Sequence, residues 1–341
     1  MKFDVWLLDQ KELAMMPQVA QSVEKLGFDG MWTIEAGVDA FMPLVLSAEH
    51  SQRIRMGTCI AVAFARNPTA MAAIGWDLAR YSNGRFIMGL GAQVKPHIER
   101  RYGIPWVKPI RKLRETIEVM HVIWDSWRSG ERPRYEGEFF NISLMTPQFS
   151  ALPLDLPNPP VHISAVNRQM LRLAGKVCDG VILHPFHSKK YLENFALPTL
   201  EEALGENGRS RQDITVNCSV FAVPTDGQTP AAEYEKEARQ QIGYYMSTPA
   251  YRVVSDQHGW VGTAEQLSKH ARAGEWEQMR NLITDEMLDA FAVTGKWSEL
   301  PGIIKERFGN MVDRTNYYIP YHPDEEAEGW AASIERFREH G

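Results

Sequence analysis

Cysteine is scarce. The 341 residues hold three, Cys59, Cys178 and Cys218, odd in number, far apart and without a CxxC pair, which excludes a disulfide framework and a zinc site of that spacing. There is no HExxH and no HxH in the first apolar run, so no metal is expected. Positive charge is also short: 37 Lys and Arg against 43 Asp and Glu leave −6 at pH 7, no footprint for a nucleic acid. No apolar run approaches the roughly 18 residues of a membrane span, because Glu35 and Asp39 interrupt the best candidate. The opening MKFDVWLLDQ shows no signal-peptide pattern. These absences predict a cytoplasmic protein with no membrane or nucleic-acid partner.

What is present is alternation. Apolar runs at 3–8, 30–33, 54–61 and 86–90 read as strands, and the stretches 15–26, 40–50, 70–82 and 111–127 carry helical spacing. Repeated strand–helix units predict a parallel sheet. Segment 130–160 breaks the rhythm with a turn at Glu136-Gly137 and with Pro153, Pro157, Pro159 and Pro160, predicting a hairpin and extended loop. The rhythm resumes with strands at 161–165, 180–183 and 215–223 and helices at 169–176, 190–204 and 231–245. Residues 259–309 read as wholly helical, 316–319 as an eighth strand and 324–340 as a last helix. Eight such units predict an α/β fold of the closed (β/α)₈ TIM barrel type. An open doubly wound sheet is the alternative. The chain is expected to be one domain over 1–341, with a hairpin insertion at 130–160 and a helical insertion at 245–313.

A barrel of this kind carries its active site at the C-terminal ends of its strands. Those ends hold Asp9 and Gln10, Glu35, residues 60–64, 91–93 and 165–167, His184 to His187, 224–226, and Tyr321 with His322. Gly89-Leu90-Gly91-Ala92-Gln93-Val94 begins like a dinucleotide fingerprint but has Val94 where the third glycine belongs. Close strand packing, or close backbone approach to a flat ligand, suits it better. Asp9 and Glu35 suit general acid/base work, or else cap helices or pair with Arg66. His97 either reaches a ligand or is held by local hydrogen bonds, and His184 and His187 have no metal-spacing partner. Ser164-Ala165-Val166-Asn167 opens straight into a helix, so it either binds a phosphate or ends in a simple N-cap at Asn167. The basic group Arg100, Arg101, Lys108, Arg111, Lys112 and Arg114 is a solvated face, or a receiver for an acidic tail beside that phosphate site. Trp6, Trp32, Phe64, Trp106 and Phe186 would make an apolar pocket suited to a flat heterocycle.

Several stretches resemble the bacterial-luciferase-like flavin monooxygenase superfamily, and within it the oxidoreductases that use the deazaflavin coenzyme F420. They are KLGFDGMW (25–32), GTCIAVAFARNP (57–68), LARYSNGRF (78–86) running into Gly89-Leu90-Gly91, AGKVCDG (174–180), STPAYR (247–252) and ITDEML (283–288). The resemblance covers nearly the whole chain and implies a bacterial-luciferase-like TIM barrel with insertions. It implies a non-prolyl cis peptide at Cys59-Ile60, next to Ala61, behind the central ring of the cofactor. Gly91, Gln93 and His97 match cofactor-contacting positions, Ala165, Val166 and Asn167 match the phosphate turn, and Asp9 is grouped with the cofactor-binding set.

The pattern departs from its relatives at two places. Where several have an acidic residue followed by histidine, this chain has Glu35-Ala36, and where others have a glutamate after strand four it has Gln93-Val94. Glu35 and His97 are therefore the expected catalytic substitutes, and Trp6, Trp32, Phe64, His184 and Phe186 the expected substrate pocket. The implied activity is hydride transfer between coenzyme F420 and a small, largely apolar substrate, in a homodimer. An FMN-dependent monooxygenase and a non-catalytic cofactor-binding barrel are the alternatives.

Overall fold

A computed structural model of the chain describes residues 1–9 and 12–339. Gln10, named above at the end of the first strand, lies outside the described residues. Eight parallel strands close on themselves: β1 Lys2–Leu7, β2 Gly30–Thr33, β3 Arg55–Thr58, β4 Phe86–Gly91, β5 Val161–Ala165, β6 Gly180–Leu183, β7 Thr215–Pro224 and β8 Arg314–Tyr317. Each pairs with the next, and β8 pairs back onto β1 with Lys2 opposite Arg314 and Phe3 opposite Thr315. The sheet is a barrel, with no open edge.

The helices between strands follow from local signals. Helix Met16–Leu26 turns Val19, Ala20 and Val23 inward and stops at Gly27, whose φ of 100° suits glycine. Helix Pro68–Tyr81 starts on Asn67, whose side chain accepts the Thr69 N–H. Helix Pro109–Ser129 buries Leu113, Ile117, Met120 and Trp124, the i, i+3/i+4 stripe of a helix packed on a sheet. The main core lies between barrel and helices.

The barrel interior is layered differently. At the closing seam Arg314 donates to both carboxylate oxygens of the fully buried Asp4, at 2.8 and 2.6 Å, and the Trp32 indole N–H adds a third bond at 2.9 Å. These opposite charges are paired because an isolated one could not be buried there. Toward the C-terminal end the interior turns apolar, with Trp6, Trp32, Cys59, Ile87 and Ile182 packed together. That cluster is the floor beneath the functional end.

The segment read as one strand at 54–61 is two pieces, because the chain leaves the ladder after Thr58 and rejoins it at Ala61–Val62. Between β4 and the helix expected at 111–127 stands a further short helix, Lys95–Arg100. The eighth strand begins at Arg314 rather than 316, set by its register against β1. Segment 259–309 is not wholly helical: Ala292–Gly295 is a strand, parallel to the outer half of β7 with Phe221 opposite Ala292. The insertion after the helix Pro109–Ser129 contains the expected hairpin, Tyr135–Glu136 against Asn141–Ile142. Its turn is anchored by the Glu115 carboxylate, which accepts the N–H groups of Glu138 and Phe139. Among the described residues no helix is long and apolar enough to cross a membrane.

Candidate active site

The site is built on an irregularity of β3. Gly57 pairs with Ile87, and pairing resumes with Ala61 opposite Leu90, so three residues of one strand face two of the other. That extra residue is a bulge. The Thr58 hydroxyl spans the gap, accepting the Gly89 N–H at 3.0 Å and donating to the Gly89 carbonyl at 2.5 Å. Within the bulge the Cys59-Ile60 peptide is cis. Gly89 is required here, because a Cβ would stand 1.7 Å from the Thr58 carbonyl oxygen. Gly91 is covered in the same way by Ile60, whose Cδ1 would lie 2.6 Å from an added Cβ.

Above this floor lies a cavity of about 760 Å³, within the range of small-molecule sites. Trp6, Leu8, Ile34, Cys59, Ile60 and Ile182 give it an apolar base, and Trp106, Tyr251 and Tyr318 give it aromatic walls. Burial, then the charge of Asp4, holds the Cys59 thiol far above its ordinary pKa, so it stays protonated. Gln93 stands at the rim in a left-handed conformation, φ 61°, with its side-chain oxygen accepting the Val94 N–H at 3.0 Å. A left-handed residue other than glycine is uncommon and sits here at the mouth of the cavity.

One end of the cavity is shaped for an anion. Asn167 caps the helix Arg168–Val177, taking the Met170 N–H with its side chain and the Leu171 N–H with its carbonyl. The N–H groups of Arg168 and Gln169 meet no acceptor among the described residues, and both residues line the cavity. Free N–H groups at the positive end of a helix are an anion site. Tyr191 steadies the turn by donating to the Val166 carbonyl at 2.6 Å. The cationic residues Lys95 and Arg168 also line the cavity, with Glu99 and Glu202 as their carboxylate neighbours at 3.8 Å each.

On the neighbouring strand, one residue past Leu183, which pairs with Ala165, His184 lines the cavity at the end of β6. Its ring stacks on Tyr251 with centroids 4.3 Å apart and meets the edge of Tyr245 at the same distance. Burial, reinforced by His187, lowers its pKa to about 3, so the imidazole is neutral near pH 7. Tyr318 and Tyr245 share a hydrogen bond between hydroxyls at 2.9 Å.

The cavity thus gathers Trp6, Cys59, Ile60, Gln93, Ala165, Val166, Asn167 and His184 from the residues singled out in the sequence, with Trp106 from the aromatic set. Others stand elsewhere. Glu35 is turned away from the cavity: its carboxylate accepts two bonds from Arg66 at 3.0 and 2.8 Å, one from the Val62 N–H at 2.7 Å and one from the Tyr102 hydroxyl at 3.3 Å. Arg66 also bonds Asp39, so Glu35 braces the loops after β2 and β3. The pairing with Arg66, one of the readings open in the sequence, is the geometry found. His97 is exposed on the helix Lys95–Arg100, outside the cavity lining, because that helix buries Ile98 instead. Asp9 is exposed and lies 3.1 Å from a His322 ring nitrogen. Trp32 is sealed in the barrel below the floor, Phe64 packs on Trp106 and under the Lys112 ammonium, and Phe186 stacks on Phe291. Ala61 and Gly91 shape the bulge without lining the cavity.

Tyr318, Ile34, Lys95 and Arg168 carry no sequence signal of a site, and Tyr251 is marked only as the tyrosine of STPAYR. Tyr251 comes from the insertion before β8 and Tyr318 from one residue past the end of β8. Among the described residues no group of three or more His, Cys, Asp or Glu side chains is arranged to hold a metal.

The family model for luciferase-like monooxygenase matches residues 1–313. An uncharacterized protein of Mycobacterium tuberculosis is 42% identical over 327 residues, 96% of this chain and 95% of that one. A 5,10-methylenetetrahydromethanopterin reductase of Archaeoglobus fulgidus is 24% identical over 332 residues, covering 95% of both chains. Among solved structures, the coenzyme F420-dependent tetrahydromethanopterin reductase of Methanopyrus kandleri superposes with a TM-score of 0.79 at 22% identity, over 99% of each chain. With its closed barrel, its bulged third strand and a match over most of its length, the chain belongs to the luciferase-like monooxygenase family.

Proposed function

We propose that this protein is an oxidoreductase that transfers a hydride between the deazaflavin coenzyme F420 and a small, largely apolar organic substrate. The observation that carries the reading is the cavity itself: an apolar, aromatic chamber over the cis Cys59-Ile60 bulge, with an anion site at one end. The residues present fit such a cofactor. Cys59 and Ile60 offer a rigid apolar surface for a ring, and the free N–H groups of Arg168 and Gln169 suit a phosphate. Lys95 and Arg168 suit an acidic tail beyond it.

When bound, the deazaflavin supplies a carbon that gives or takes a hydride. The chain's own part is to bind, orient and exclude water. The Thr58 bonds to Gly89 hold the floor in place, and the Glu35–Arg66–Asp39 brace holds the adjacent wall. Trp106, Tyr251 and Tyr318 close the sides with aromatic rings, and the Tyr318 hydroxyl is already engaged with that of Tyr245. The remaining apolar volume favours an uncharged substrate over a sugar or a dicarboxylate.

The family match also supports a second reading, an FMN-dependent monooxygenase that consumes oxygen. Fluorescence and calorimetric titrations with F420 and with FMN, in identical salt, separate the two. Tighter F420 binding is expected. Tighter FMN binding, with oxygen uptake when reduced FMN is supplied, would move the protein to the second reading, and binding of neither would remove both cofactors.

A further inference from the structure

We propose that His184 selects the substrate by donating a hydrogen bond from Nε2 to an uncharged acceptor, the oxygen or nitrogen of a carbonyl or imine, held in the cavity beside Tyr251 and Tyr318. The identity of the other ligand rests on the hydride-transfer reading above.

The tautomer follows from the backbone. The Phe186 N–H points at His184 Nδ1 at 3.1 Å, and an N–H can be accepted only by a ring nitrogen without a proton, so the proton of the neutral ring sits on Nε2. Nε2 meets no acceptor among the described residues, on a side chain that lines the cavity. A donor fixed in place and left without a partner gains most from a ligand that brings an acceptor.

The ring is held from several sides. Tyr251 stacks on one face and Tyr245 meets it edge-on. Behind it, His187 Nδ1–H donates to the His184 carbonyl at 2.9 Å, and His187 Nε2, which therefore carries no proton, accepts from the Cys218 thiol at 2.7 Å. Cys218 lies in β7 and is completely buried. The chain Cys218 to His187 to the His184 carbonyl thus ties the end of β6 to β7, with Cys218 and His187 as positioning residues.

Charge defines the class of ligand. Burial keeps His184 neutral, and burial raises the Tyr251 and Tyr245 hydroxyls above their usual range, so this wall carries no charge near neutral pH. The cations that line the cavity, Lys95 and Arg168, each have a carboxylate of their own within 3.8 Å, Glu99 and Glu202. A carboxylate or phosphate would find no counter-charge at His184, whereas a ketone, aldehyde or imine needs only the one hydrogen bond.

The test compares acetophenone with ethylbenzene, similar in shape and differing in the carbonyl, by saturation-transfer NMR on the full chain with and without F420. In wild type the acetophenone-to-ethylbenzene affinity ratio is expected to be roughly three- to tenfold higher than in His184→Phe. The ratio, rather than either affinity alone, is the readout, and His184→Gln, which keeps a donor, should restore much of it. In ¹⁵N-histidine-labelled wild type, the His184 Nε2 resonance, assigned by its loss in His184→Gln, should shift with acetophenone and not with ethylbenzene. A ratio changed by less than twofold, or an Nε2 signal indifferent to the ketone, overturns the proposal, and the labelled wild type decides it even if a variant fails to fold. Loss of F420 binding with the ketone effect intact would strike the hydride-transfer reading and leave the role of His184 standing.

Discussion

Acidification should destabilise this protein well before its carboxylates titrate. His162, His184 and His187 are held in low-dielectric surroundings that lower their pKa values to about 3, 3 and 4. In the unfolded chain each returns to about 6.5. Below that value the unfolded state takes up protons that the folded state refuses, so the stability from these groups is full above pH 6.5 and is lost as pH falls toward their folded values. One pH unit is worth about 1.36 kcal/mol per histidine, so moving from pH 7.5 to 5.5 should remove roughly 4 kcal/mol from the three together. At pH 5.5 ordinary carboxylates, with values near 4, are still ionised and contribute little. Urea unfolding followed by circular dichroism at pH 7.5, 6.5 and 5.5 measures the loss, and His187→Gln should remove about a third of it. Equal unfolding free energies at pH 7.5 and 5.5, within about 1 kcal/mol, would refute the reasoning and mean that these rings admit a proton without unfolding.

Two substitutions probe the frame around the site. Arg314→Met strips the fully buried Asp4 carboxylate of two bonds and its counter-charge, leaving the Trp32 indole N–H. A cost of about 3–5 kcal/mol in urea unfolding is expected, with partial recovery in Asp4→Asn/Arg314→Met; a cost under about 1 kcal/mol would mean that the pair does not hold the β1–β8 seam. Glu35→Gln weakens the bonds to Arg66 and the Val62 N–H, and should cost about 1.5–3 kcal/mol of stability by the same measurement. Unchanged stability with lost turnover would place Glu35 at the substrate instead.

The sequence by itself determined the succession of strands and helices, and the β1–β8 pairing decided that they close into a barrel. Buried parallel strands are short apolar runs, and the helices between them carry their own stop signals, as at Gly27, so strands such as 30–33, 161–165 and 180–183 are visible locally, to the residue. The floor of the site was legible for a related reason: Gly89 and Gly91 mark close approach, and the resemblance placed the cis bond at Cys59-Ile60. Tertiary structure alone decided what depends on distant partners. Ala292–Gly295 is a strand because the outer half of β7, some 70 residues earlier in the chain, offers it a ladder, and nothing local marks a four-residue AVTG as extended. Glu35 stands at a strand end, where a catalytic carboxylate would, but Arg66 and the Val62 N–H lie on the next βα unit and turn it away from the cavity. The cavity wall joins Tyr251, from an insertion, to His184 and Tyr318, from β6 and the end of β8. A side chain's position along the sequence shows which end of the barrel it reaches, while its direction and charge state are set by neighbours that only folding brings together.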